Sequence, residues 1–175
     1  NPLTKNEKIL GLELGYTYSS RFITGSINAY RTSWKDRVTT TSTEAADGEL
    51  SYKTNEGVEQ LHSGIELDFI AKPTNNLSVT GFASFGNYQY VGNSVITVRD
   101  EDRNILSQDI VDVDGGKVGD AAQTSWGLGA KYEILPKFSI DADWRNYSKL
   151  YSNVGAVKNN LELPSYDLVD AGLSY

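Results

Sequence analysis

Apolar and polar positions alternate along most of this chain. Between 9 and 18 one phase reads Leu10, Leu12, Leu14, Tyr16 and Tyr18, and the other Ile9, Gly11, Glu13, Gly15 and Thr17. An extended strand sends successive side chains to opposite faces, so this run predicts a strand with one apolar face and one small or polar face. The same alternation predicts strands over 21–38, 58–71, 77–91, 123–134, 138–147 and 166–175. In the third of the seven, Leu61, Ser63, Ile65, Leu67, Phe69 and Ala71 oppose Gln60, His62, Gly64, Glu66 and Asp68. In the sixth, Phe138, Ile140, Ala142 and Trp144 oppose Ser139, Asp141, Asp143 and Arg145. The second run starts in phase at Ile23, Gly25, Ile27 and Ala29 but loses it near Tyr30 and Trp34, as a bulge would require. No helical period of useful length occurs.

The connections alternate in length. Ser19-Ser20, residues 72–76 and residues 135–137 read as tight turns by their Ser, Pro and Asn content. Residues 39–57, 92–122 and 148–165 read as long loops. Alternation alone fits a soluble two-layer sandwich or a membrane barrel. Three features favour the barrel. The runs reach about 10–15 residues, against about 5–6 for an ordinary soluble strand. Short turns gather on one rim and long loops on the other. Aromatic residues in the apolar phase fall near both ends: Tyr18, Phe69, Tyr132 and Phe138 beside the turns, Trp126 and Trp144 towards the loops. Two interfacial girdles would produce that spacing. Leu12, Leu14, Ile65, Leu67, Val79, Leu128, Ile140 and Ala171 are then expected to face lipid. Glu13, Glu66, Lys131, Glu133, Asp141 and Asp143 are expected to face the lumen.

Composition narrows the functional classes. The 175 residues carry 16 Lys and Arg against 23 Asp and Glu, a net charge of −7. Such a balance lacks the basic face that binds nucleic acid. Cysteine is absent, which excludes disulfides and thiolate metal sites. Methionine is absent too, and no secretory signal is present, so Asn1 is expected to be a cut point within a longer protein or a mature terminus. His62 is the only histidine, so neither a histidine metal centre nor a Ser-His-Asp triad is expected. The carboxylates Glu13, Glu66, Asp68, Glu133, Asp141 and Asp143 all fall in the polar phase, where a wet lumen explains them without catalysis. Asp100, Asp102 and Asn104 start like a calcium loop, but Ile105 and Val111 stand where its glycine and bidentate glutamate belong. No cofactor and no catalytic residue is expected. Tyr147 and Tyr151, with the acidic pair Asp112 and Asp114, are the candidates for touching a ligand at the loop rim.

Several segments together carry a family resemblance. NPLTKNEKILGLELGYTYSSRF resembles the NP-x-L-x-x-E-K segment that opens a late barrel strand in TonB-dependent outer-membrane receptors. NAYRTSWKDRV resembles the strand that follows, and GVEQLHSGIELDFIAKPTNNLSVTGFASF the next hairpin. DGGKVGDAAQTSWGLGAKYEILPKFSIDADWRNYSKLY and LELPSYDLVDAGLSY resemble the succeeding strands. The resemblance implies an all-β fold: an antiparallel, up-and-down transmembrane segment of about seven strands within a barrel of about 22. Residues 1–175 would form part of the barrel domain, with the plug and the last strands outside them. The implied function is active transport across the cell outer membrane. A scarce nutrient (a siderophore, vitamin or glycan) would bind at the surface and enter with energy from TonB. The implied partners are outer-membrane lipid, the rest of the barrel and its plug, TonB through the N-terminal part, and the extracellular ligand. A passive or structural outer-membrane barrel, or a soluble carbohydrate-binding sandwich, stays open as an alternative.

Overall fold

In the computed structural model, which describes residues 5–44, 49–119, 121–153 and 155–175, every alternating run is an extended strand. The first four residues of the opening motif and the centre of the 39–57 connection lie outside the described residues. Eleven strands follow in order: β1 (Lys8–Ser19), β2 (Ile23–Glu44), β3 (Leu50–Thr74), β4 (Leu77–Val91), β5 (Asn93–Arg99), β6 (Ile105–Asp112), β7 (Thr124–Leu135), β8 (Phe138–Ser148), β9 (Leu150–Tyr151), β10 (Glu162–Leu163) and β11 (Tyr166–Ser174). Seven form the wall, in the order β1-β2-β3-β4-β7-β8-β11, each antiparallel to its neighbour. The wall is an open meander: among the described residues β1 and β11 do not pair with each other.

Residues directly opposite in an antiparallel ladder share a face. One row therefore runs Leu14, Ala29, Ile65, Phe85, and another Leu67, Ala83, Trp126. Val79, Ala130, Ala142 and Ala171 continue that face. The opposite face carries the row Gly15, Asn28, Glu66, Ser84, Ser125, Tyr147. Asp68, Lys131, Asp141, Asp143 and Arg145 lie on it as well. The two sets of residues thus separate cleanly onto an apolar face, named the outer one by its place in a barrel, and a polar, inner one.

Among the described residues no second sheet covers the apolar face: Leu14 stays 78% and Val169 73% exposed, where a sandwich closed by these strands would bury them. A row drawn straight across from Tyr18 passes Gly25, Phe69 and Gly81 and reaches Leu128 and Trp144. The turns of successive hairpins lie progressively farther below it. That stagger is the tilt a closing barrel imposes on its strands.

The tight turns follow their local chemistry. At the first, Ser20 Oγ accepts from the Ile23 amide at 3.2 Å. At the third, Lys137 takes a left-handed φ of 68° directly after Pro136. The long connections differ from the expectation. Residues 39–44 and 50–57 are not loop but upward extensions of β2 and β3, because a threonine-rich run is β-branched and needs no apolar alternation where both faces are wet. Residues 92–122 include the β5–β6 hairpin, which pairs with the raised part of β3. Residues 148–165 include the short β9–β10 pair. Among the described residues the clustered core, Val58, Tyr90, Val113, Val118 and Ala156, sits at this loop end, while both broad faces of the wall below it are open.

Candidate functional site

Two compensating irregularities shape the loop end of the inner face. Trp34 pairs with Gln60 and Arg37 with Val58, so β2 spends three residues where β3 spends two. Arg37 to Thr39 then spans two residues where Val58 to Asn55 spans three. Each strand accommodates its extra residue with a left-handed backbone, at Asp36 (φ 57°) and at Gly57 (φ 72°). Below the slip, odd residues of β2 such as Arg31 and Lys35 point outward. Above it the phase inverts, and Arg37 and Thr39 join Trp34 on the inner face.

These residues line a cavity of about 400 Å³ with Val58, Gln60, His62, Tyr88 and Tyr90 from the wall and Val118, Gly119, Ala121, Gly155 and Ala156 from above. The Arg37 guanidinium lies over the Trp34 ring, 3.8 Å from its centroid. Its Nε is buried, with no hydrogen-bond partner among the described residues. The His62 and Tyr88 rings stack at 4.7 Å, 19° from parallel. His62 Nε2 lies 3.3 Å from Gln60 Oε1, and the Tyr88 hydroxyl shares a hydrogen bond with that of Tyr30. The wall of the cavity is therefore aromatic and flat, with one cationic edge.

The roof is held by backbone and carboxylate bonds. β7 stops pairing with β4 at Phe85, and above that point residues 115–118 take over its edge. Tyr90 N donates to Gly116 O at 2.8 Å and Val118 N to Tyr88 O at 3.0 Å. Gln123 closes the junction. Buried to 2% exposure, its amide accepts from Tyr88 N at 3.1 Å and donates to Tyr88 O at 2.9 Å and Val118 O at 3.1 Å. The 115–119 segment then meets 151–160 at two glycines. A Cβ on Gly116 would strike Val157 O, and one on Gly119 would lie 2.5 Å from Asn153 O. Lys158 bonds to Asp112, whose other oxygen accepts from Asp114 N at 2.9 Å. Those two bonds hold the Asp112 carboxyl below the usual carboxylate range, and Asp112 in turn raises Lys158.

Against this geometry the sequence candidates divide. Asp112 and Asp114 lie at the roof and outside the cavity, Asp114 accepting from Gly92 N at 2.9 Å. Tyr147 stacks on Tyr166 at 5.2 Å on the inner face. Tyr151 is half-buried, and its hydroxyl is pushed above its ordinary value by that burial and then by Glu162. Arg145 pairs with Asp170 rather than with Asp141 or Asp143. Asp100, the first residue of the calcium-like stretch, spends both oxygens on Asn104. Tyr18, Phe69, Tyr132 and Phe138 lie on the apolar face nearer the turns, and Trp126 and Trp144 lie on it nearer the loops, in edge-to-face contact at 4.7 Å. Arg37, Tyr88 and Gln123 were not candidates in the sequence. The lost phase near Trp34 was the one signal that marked the place.

Comparison with known proteins adds one match. A family model described as TonB dependent receptor-like, beta-barrel covers residues 1–175. No solved structure matches the chain.

Proposed function

The chain belongs to the TonB-dependent receptor β-barrel family, and from that premise we propose that it forms wall and surface loops of an active-transport receptor in the outer membrane. A scarce nutrient, of the siderophore, vitamin or glycan kind, binds at the loop end and passes inward with TonB-derived energy. The plug, the remaining strands and the TonB-contacting part belong to the same working unit. The outer face meets lipid, with Tyr18, Phe69, Tyr132 and Phe138 at one interface and Trp126 and Trp144 at the other. Tyr147, Tyr151, Asp112 and Asp114 border the entry.

One observation carries the receptor reading: an aromatic cavity with a cationic edge opens on the polar face, under a built roof, at the rim opposite the tight turns. A passive conduit has no use for such a site. A receptor needs a concave surface that orients its cargo with a few polar groups. Uptake of the cognate nutrient by cells carrying the full-length receptor tests it. Loss of uptake on deletion of TonB is the expected result; uptake unchanged without TonB would return the passive barrel.

A further inference from the structure

We infer that the Arg37 cavity holds the oxyanion of a flat, ring-bearing ligand, with Arg37 as its anchor, an inference that rests on reading this cavity as the ligand site. The chain carries a net charge of −7, yet the described residues lining the cavity include Arg37 and His62 and no carboxylate. Neighbouring cations are neutralised on the outer face: Lys35 by Glu59 at 3.0 Å and Lys8 by Asp36 at 3.5 Å. The slip in β2 turns Arg37 away from those acids, and among the described residues it forms no ion pair. Among the described residues no anion answers its charge, and an incoming oxyanion on its terminal N–H groups would supply one.

The geometry also fixes which part of the ligand goes where. Trp34 covers the flat face of the guanidinium. Stacking takes the flat face and Nε is occluded, so the N–H groups that can grip a carboxylate or phosphate are the terminal pair. Beside it, the parallel His62 and Tyr88 rings offer a planar wall suited to a ring rather than to a branched aliphatic body. The asymmetry of the cavity, one cationic edge and one flat aromatic side, therefore selects ligands that carry both features.

The test uses the intact receptor in detergent and four probes followed by ligand-observed saturation-transfer NMR: benzoate, phenyl phosphate, benzamide and acetate. At least one of the two ring anions should bind about tenfold more tightly than benzamide, the neutral ring, and than acetate, the ringless anion. Their ranking tells carboxylate from phosphate. Arg37→Gln should remove the preference for charge and leave benzamide within about twofold, and Arg37→Lys should restore it only in part. Raising the salt on the wild-type receptor, which needs no variant to fold, should weaken the ring anions and spare benzamide. Equal binding of benzoate, phenyl phosphate and benzamide would overturn the anion anchor while the cavity stayed a ligand site. Acetate matching the ring anions would overturn the ring. No binding by any probe would remove the cavity reading itself.

Discussion

Single side chains decide whether the upper wall stays closed. Gln123 acts as a substitute peptide, giving Tyr88 the donor and acceptor that β7 no longer supplies. Gln123→Ala would leave those backbone groups buried and unmet, at about 1–3 kcal/mol. Chemical denaturation of the full receptor should show that loss, together with faster hydrogen exchange at Tyr88. Asp112 and Lys158 add a pH signature. Asp112 is depressed below 3.8, so its contribution is complete above that value and vanishes as pH falls through the lower folded one. Lys158 is raised above 10.5, so its contribution is complete below that value and vanishes as pH climbs through the higher folded one. The docking of 151–160 on 112–119 should hence be constant through the neutral range and loosen only at strongly acid or strongly alkaline pH. Amide exchange at Asn153 and Gly155, corrected for intrinsic rates, reads this directly; loosening near neutrality would refute the pairing.

At the level of the strand, side-chain phase was the legible quantity. Leu12, Ile65, Leu128 and Ile140 share a face because period two survives across every hairpin, and that period was visible without coordinates. Leu128→Arg should cost about 2–4 kcal/mol in the bilayer, whereas Ser125→Arg on the inner face should cost far less. Urea titration of the refolded receptor in lipid separates the two. The raised parts of β2 and β3 were not legible. Thr39, Thr40, Thr41 and Thr43 suit a strand, but with water on both faces nothing forces an alternating pattern. The cavity was hidden for another reason: its members come from distant segments, and Arg37 faces inward only because of the slip beside Asp36. A β-branched residue at φ 57° is strained, so Asp36→Val should destabilise the receptor by about 1–2 kcal/mol and misdirect Arg37, while Asp36→Gly should be nearly neutral. Matching denaturation midpoints for the two variants would contradict that account.

Across the whole wall, the free energy of burial lies mostly outside the chain. Among the described residues its clustered core is a few residues at the loop end, and the broad faces are left exposed. Among the described residues the outer edges of β1 and β11 pair with no strand, and hydrocarbon could not satisfy their N–H and C=O groups. Residues 1–175 expressed alone should accordingly associate in plain buffer; a compact monomer with a cooperative melt would argue against the membrane wall. The same picture predicts a topology. A cysteine at Asp102, in the β5–β6 turn, should react with an impermeant reagent on intact cells, and one at Asn75 only after permeabilisation. Labelling of Asn75 alone would invert the assignment.

The paired slips at Asp36 and Gly57 behave like a frameshift and its suppressor. Each strand gains one residue, so the ladder below and the ladder above both read in register, but with opposite conventions for inside and outside. The two storeys are thereby insulated from one another. Substitutions can accumulate in the upper storey without rewriting which residues the lower storey shows on its apolar face. The joint between them is where a new specificity could be cut in with the least disturbance to the span beneath.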